Sequence, residues 1–511
     1  MSGQEPDSPP PDDGAHDLPQ NDDWAVRAPG SAQTLIAARL PVVLALIFLC
    51  ALPVPGLISL PDGASVALVT MLVSMPVWYA VARARNTPFD PVATLAISII
   101  LAAAGFLIFW SLLSIFGADS PLRASRYIAT LIAAFALYFL VRSTVTRQRL
   151  VLYVDVLAVG LAATSAVSLL AYEVDSLHDI IFKATDRAAG FFKNPNQFGM
   201  AISATIPAVM AMVLAERQRR ILRAVCLILM LLGLFASGSK TNFLLTWASL
   251  LAVVCGYSWI FNTGSRRFGM LALSLAGSLV LAGFGVVALN FLNPRALNIM
   301  VEFFSRDGEV DSLLTRSFLW VYSFDQFLAD PVFGQGAGQR IDIFYREADV
   351  SHSHNVLVDY MRTLGTPGLL AVSMMISAVV IVCLLTLGRA LRSASGAPAA
   401  RLMCFGLSLN CLNYVAANMS SDSMGPSTSP FFWLFAYLAL AARRLMSPVP
   451  SIGIPHRRRF TRRTNFKRFP DLVHPVAFEN ARDSATESTN LALGLWLILT
   501  AAVLAVVISM L

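Results

Sequence analysis

Residues 91–116 read PVATLAISIILAAAGFLIFWSLLSIF, an apolar block without a single charged side chain. As a helix rising about 1.5 Å per residue, it is longer than the ~30 Å hydrocarbon core of a bilayer. Blocks of the same kind recur along the chain. Of its 511 residues, 56% are hydrophobic and 14% charged, where a soluble domain carries about a quarter charged residues. Only helices and closed barrels satisfy their backbone polar groups inside lipid. The alternating segments of about ten residues that a barrel needs are absent. The expected fold class is an all-α polytopic membrane protein.

Working outward from this block, spans are expected at Leu40–Leu60, Val66–Ala82, Pro91–Phe116, Tyr127–Val141 and Leu150–Tyr172. Further spans are expected at Phe198–Leu214, Ile221–Phe235, Phe243–Phe261, Phe268–Leu292, Pro367–Leu387, Ala399–Val415, Pro430–Leu445 and Leu491–Leu511. That makes about 12–13 transmembrane helices. Residues 1–33 form an acidic, Pro- and Gly-rich tail, expected to be disordered and cytoplasmic. The tail lacks a basic region followed by a short apolar run, so no cleaved signal peptide is expected. Residues 34–446 are expected to form the multi-span domain, interrupted by a large helical segment over 293–366 on the outer side. Residues 447–489 are a basic cytoplasmic loop suited to anionic head groups, and 490–511 a C-terminal span. The six cysteines all lie in apolar blocks and form no CxxC pair, so neither disulfides nor metal ligands are expected.

With the N-terminus in the cytoplasm, the dense arginine clusters all fall inside. These are Arg83/Arg85, Arg142/Arg147/Arg149, Arg217/Arg219/Arg220/Arg223, Arg266/Arg267, Arg389/Arg392 and Arg457 to Arg468. The net charge of +7 is thus a topology signal, and no nucleic-acid partner is expected. The cations left outside then become candidates for binding an anion. They are Lys183, Arg187 and Lys193 after the fifth span, Lys240 between the seventh and eighth, and Arg295, Arg306, Arg316, Arg340 and Arg346 in the long segment. Arg295, Arg306 and Arg346 read as ordinary surface charge.

Within the long segment, Leu313 to Leu328 has helical periodicity, with Arg316 and Trp320 four apart on one face. Asp330-Pro331 ends that helix. Phe333 to Gly338 forms a glycine turn suited to close backbone packing; without a preceding strand it is no dinucleotide fingerprint. Ser351-His352-Ser353-His354-Asn355 closes the segment, and a helix follows with Val356, Leu357, Tyr360, Met361 and Leu364 at helical spacing. Gly365 and Pro367 stop it. A histidine at this position is suited to moving a proton near neutral pH, or is a surface residue capping a helix.

Four stretches now stand in order on the expected outer face: Arg187 to Asn196, Ser237 to Thr241, Arg316 to Gly336, and His354-Asn355 with Gly365 and Gly368 behind. In this order the chain resembles the O-antigen ligase and O-antigen polymerase superfamily of bacterial envelope proteins. The resemblance implies a GT-C-like membrane fold in the bacterial inner membrane, with the outer segment 293–366 periplasmic, and a metal-independent glycosyl transfer on the periplasmic face. The donor would be a glycan on undecaprenyl pyrophosphate, and the acceptor lipid A-core or another glycan. No cofactor is implied, and the only other partners are membrane lipids. Family members usually carry a glutamate nine residues after the histidine, where this chain has Thr363, with Asp359 nearby. The turn position often held by arginine is Lys240, which keeps the charge but loses the planar fork.

The residues suit that chemistry. Cations neutralise a departing pyrophosphate, arginine by paired hydrogen bonds. The sugar C1 passes through an oxocarbenium-like state, and a histidine can accept the proton of the incoming hydroxyl. Arg187, Lys240 and Arg316 are therefore expected around the pyrophosphate, with His354 as base and Arg316 also in the catalytic set. Asn194, Asn196, Lys193 and Asn355 are weaker substrate-binding candidates. Asn194 and Asn196 read equally as an Asn-Pro-Asn turn capping the sixth span, and Lys193 as a snorkelling cation. His352 reads as a bystander. No DxD or outer carboxylate cluster suited to Mg²⁺ is present. A transporter or flippase is the competing reading, though no internal repeat is detectable and the ionisable residues gather outside the mid-plane. A non-catalytic scaffold of an envelope complex is a third.

Overall fold

The computed structural model describes residues 32–53, 66–85, 90–115, 120–172, 194–273, 306–341, 353–393, 397–419 and 429–446, with shorter pieces between them. Helices α1 (Ala32–Ala51), α2 (Val66–Arg85), α3 (Pro91–Ser114), α4 (Pro121–Thr144) and α5 (Arg147–Leu170) are followed by α6 (Pro195–Ala215), α7 (Arg220–Ser237) and α8 (Lys240–Phe261). Helix α9 (Arg306–Ala329), a hairpin of β1 (Ile343–Tyr345) and β2 (Ala348–Val350), α10 (Val356–Arg392), α11 (Pro398–Asn418) and α12 (Ser429–Arg443) complete the order. Each expected span from residue 66 to 261 and from 367 to 445 coincides with a helix, and the expected Leu40–Leu60 span overlaps α1 as far as Ala51, with residues 54–60 outside the described residues. Among the described residues, α3 to α8 and α10 are long and apolar enough to cross a membrane. Helices α1 and α2 hold shorter apolar stretches, Arg39–Ala51 and Val69–Arg83. The protein is an all-α polytopic membrane protein, with the antiparallel hairpin as a small addition that helical periodicity did not indicate. Residues 1–31 of the expected tail, the basic loop, the last span and most of the 268–292 span lie outside the described residues, while residues 32 and 33, assigned to the disordered tail, open α1.

The helices begin where local chemistry dictates. Asp90, Ser120 and Asn194 each cap a helix whose next residue is proline. The cap side chain satisfies an orphan N–H, and the proline has no N–H to orphan. Thr146 caps α5 in the same way, accepting from the Arg149 amide at 3.2 Å.

Helix α11 is the central post, packed along α6, α8, α10 and α12. Its contact with α6 repairs a defect. Pro207 lies inside α6, and its missing N–H leaves the Ser203 carbonyl without a helical donor. Asn413 Nδ2 donates to that carbonyl at 3.2 Å, and the Ala208 amide donates to Asn410 Oδ1 at 2.9 Å. Neighbouring side chains re-satisfying a kinked helix is what lipid burial demands.

The two ends of the bundle differ. At the inner end, under the orientation the arginines suggest, Asp155 on α5 accepts from Arg223 Nε at 2.7 Å and Nη2 at 3.1 Å. Glu216 takes Arg223 Nη1 at 3.2 Å. Asp90 likewise meets Arg443 at 3.0 Å and Arg389 at 3.6 Å. Arg223 and Arg389, expected as loop charges that set topology, are thus ion-paired, and Arg223 is buried. The opposite end carries the start of α4, the end of α3, the α7–α8 turn and the start of α10.

Candidate functional site

At the outer end the first two sequence motifs close on one another. Arg187, half-buried, donates from Nε to the Ser237 carbonyl at 2.9 Å and from Nη2 to Asn196 Oδ1 at 2.8 Å. The next residue, Ala188, donates its amide to the Ala236 carbonyl at 3.0 Å. Helix α7 therefore ends against the Arg187 loop. Gly238 turns the chain there at φ +56, and a Cβ on it would stand 3.2 Å from Arg187 Nε. Asn242 completes the seam, its Nδ2 donating to the Asn196 carbonyl at 3.2 Å and to Ser239 Oγ at 2.8 Å. Lys240 opens α8 directly after this turn.

The Asn-Pro-Asn alternatives divide. Asn194 caps α6, accepting from the Gln197 amide at 2.9 Å. Asn196 instead orients the Arg187 guanidinium. Lys193 lies outside the described residues.

The third and fourth motifs form a second cluster. The glycine turn folds onto the first part of α10: the Gln335 and Gly336 amides donate to the carbonyls of Arg362 and Thr363 at 2.9 and 3.0 Å. Gly334 stands at φ +67, and a Cβ there would meet the Arg362 carbonyl oxygen at 2.6 Å. The buried Arg362 donates to the Gln339 carbonyl at 2.6 Å and holds the far side of the turn. The turn also reaches α3. Phe333 stacks on Trp110 with ring centroids 5.0 Å apart, and the Ala337 amide donates to Ser114 Oγ at 3.1 Å. Close backbone packing, the expected role of these glycines, is what they provide.

Helix α10 breaks where expected. Gly365 takes φ +65 with Val332 pressed against it, and the Thr366 amide and hydroxyl both donate to the Pro331 carbonyl, at 2.8 and 3.0 Å. Beyond the break the helix continues as the membrane span.

His354 precedes this helix. It is half-buried, at φ +57, and Asn355, not the histidine, is the cap. Asn355 Oδ1 accepts from the Leu357 and Val358 amides at 2.9 and 3.3 Å, and its Nδ2 donates to the Met419 carbonyl at 3.1 Å. This side chain, expected as a substrate ligand, is used at both ends within the fold. Trp320, one turn after Arg316 on α9, donates its indole N–H to the Ser353 carbonyl at 3.0 Å. The segments that carry Arg316 and His354 are therefore joined by the Trp320–Ser353 hydrogen bond. The C-terminal end of α11 links this cluster to the first. Met419 receives Asn355, and Asn418 Nδ2 contacts Met200 Sδ on α6 at 3.4 Å.

Burial lowers the pKa of both Arg187 and Arg316 from the ordinary guanidinium value. Arginine stays protonated in proteins all the same. Both are partly desolvated cations, a setting in which pairing with an anion offsets the desolvation cost.

Sequence reasoning did not single out Ser353 or Arg362, and it noted Asp359 only for its position. The Ser353 amide donates to Asp359 Oδ1 at 2.9 Å. Thr363, where the resemblance leads one to expect an acid, turns its hydroxyl back to the Asp359 carbonyl at 2.7 Å. An arginine and an aspartate at buried positions of an otherwise apolar helix were the available signal. Among the described residues no group of three or more His, Cys, Asp or Glu is gathered as a metal site.

Residues 225–373 match the family model Wzy_C, described as O-antigen ligase. The match runs from α7 to the span half of α10, and so includes the Ser237–Thr241 turn, Arg316 and His354. No curated protein matches the chain.

Proposed function

We propose that this chain, a member of the O-antigen ligase/polymerase superfamily by its match over residues 225–373, transfers a glycan from undecaprenyl pyrophosphate to a lipid or glycan acceptor at the periplasmic face of the inner membrane. The observation that carries the reading is the gathering of the four motifs at one end of the bundle. Arg187 is held on the α7–α8 turn beside Lys240, and Arg316 is tied through Trp320 to the His354 loop.

In this reading Arg187, Lys240 and Arg316 neutralise the departing pyrophosphate. The two arginines offer planar forks and Lys240 a point charge. His354 takes the proton of the acceptor hydroxyl as it attacks the sugar C1, and the C1–O bond to the pyrophosphate breaks. No metal is needed, since the cations supply the charge. Asn196 acts by orienting Arg187, and Asn194 and Asn355 by capping the helices that carry the site.

The test is the lipid-linked material in a strain lacking the protein. Complete chains left on the carrier identify a ligase, single repeats a polymerase, and an unchanged carrier pool rejects both. Sidedness is read by labelling a cysteine placed at position 335 with an impermeant thiol reagent. Labelling only after the inner membrane is breached removes the periplasmic site.

A further inference from the structure

Ser353, the residue before the candidate base, is held at three points. Its amide donates to Asp359 Oδ1 at 2.9 Å, its carbonyl accepts from Trp320 Nε1 at 3.0 Å, and its hydroxyl donates to the Asn355 carbonyl at 3.0 Å. It is fully buried. His354 follows at φ +57, a left-handed conformation that crowds a side chain with a Cβ. Asn355 is then fixed to α10 by its cap bonds and to α11 through Met419. The histidine is thus bracketed by residues tethered to α9, α10 and α11. Such a conformation persists only where its surroundings over-determine it, and these tethers do so.

We propose that Trp320 and Asp359 are positioning residues for His354. They grip the two sides of Ser353, its carbonyl and its amide, and thereby fix the direction in which the imidazole is presented. Trp320 has a second consequence. It makes the placement of His354 depend on the docking of α9, whose preceding turn carries Arg316. Base and phosphate-binding cation are then set by one contact. This inference rests on the glycosyl-transfer reading above.

The roles of the two grips are chemically distinct. Indole supplies one N–H and no acceptor, so Trp320→Phe keeps an aromatic ring and removes the bond to the Ser353 carbonyl, together with the bulk of the second ring. Asp359 uses one oxygen for Ser353, and its other, Oδ2, is buried without a hydrogen-bond donor among the described residues. Asn in its place keeps an acceptor for the Ser353 amide, and Ala removes it.

The test uses purified full-length protein in proteoliposomes with a lipid-linked glycan donor, and compares Trp320→Phe, Asp359→Asn and Asp359→Ala. For Trp320→Phe and Asp359→Ala, kcat is expected to fall roughly three- to tenfold, the worth of one hydrogen bond felt in the transition state, with donor KM within about twofold. Asp359→Asn should restore most of the rate. A second readout needs no turnover: the rate of carbethoxylation of His354 by diethyl pyrocarbonate, followed by peptide mass spectrometry. It should change several-fold in Trp320→Phe and Asp359→Ala and stay at the wild-type rate in Asp359→Asn. Unchanged His354 reactivity in Trp320→Phe overturns the proposal, and so does an Asp359→Asn variant as impaired as Asp359→Ala. If Asp359→Ala does not fold, Trp320→Phe and Asp359→Asn decide the matter between them. Wild-type protein without transfer activity rejects the parent reading instead, and the modification rates still test the grip.

Discussion

Both ends of the bundle hold arginines, but the partners differ in kind. At the inner end Arg223 meets Asp155 and Glu216, and Arg443 and Arg389 meet Asp90. At the outer end Arg187 donates to the Ser237 carbonyl and the Asn196 amide oxygen, and Arg362 to the Gln339 carbonyl. A carboxylate orients a guanidinium and cancels its charge. A carbonyl or amide oxygen orients it and leaves the charge in place. The inner contacts tie helices together as ion pairs, while the outer contacts named here orient guanidiniums through neutral oxygens: Arg362 against the glycine turn, and Arg187, in the proposed reading, toward an arriving anion.

The sharpest way to break this contrast is to remove the proposed base beside the outer cations. His354→Ala should lower transfer by ~10²–10⁴-fold, the usual range for a lost general base, at an unchanged level of membrane protein. His352→Ala should be mild. Equal loss in both variants would take His354 out of the mechanism.

The inner end should respond in stability. Asp155→Ala leaves the buried Arg223 with Glu216 as its remaining carboxylate, so the cost should be below the ~3–5 kcal/mol of a wholly unpaired buried charge. Thermal unfolding in detergent should shift down clearly, while the protein that remains folded keeps its specific activity. A variant that is stable but inactive would contradict the division between the two ends.

Arg316 separates clamp from packing. If it grips pyrophosphate through a planar fork, Arg316→Lys should lose about ten- to a hundredfold in rate, and Arg316→Ala more. The same changes at Arg295 should be close to silent. Polysaccharide output normalised to protein level reads the result, and a fully active Arg316→Lys would move the residue to the scaffold.

The smallest expected effect is that of a chelator. In-vitro transfer should survive EDTA if, as proposed, the oriented cations do the work a metal would otherwise do. Loss of activity restored by Mg²⁺ or Mn²⁺ would show that the cation-only picture is wrong.

Much of this architecture was legible in the chain itself. The block at 91–116 appears as α3, capped by Asp90 and opened by Pro91 as the local sequence requires. Gly365-Thr-Pro367 marked the end of a helix. Two helical stretches do part there, and what the sequence left out was the Pro331 carbonyl that fills the gap. Arg316 and Trp320 were placed together on one helical face, but the indole turns to Ser353, which lies on another segment.

The division follows from range. Apolar length, helix caps, glycine turns and arginine asymmetry act within a few residues or along one helix, so the sequence by itself determined a multi-span helical protein, and it supplied an expected orientation and a set of candidate outer residues. Which side chain meets which across helices has no such local signature. Arg223 finds Asp155 and Asn413 finds the Ser203 carbonyl far along the chain, and Asn196 turns to Arg187 while its neighbour Asn194 caps a helix. Only the tertiary structure decided these pairings, because inside lipid each buried polar group must take a partner wherever packing puts one within reach.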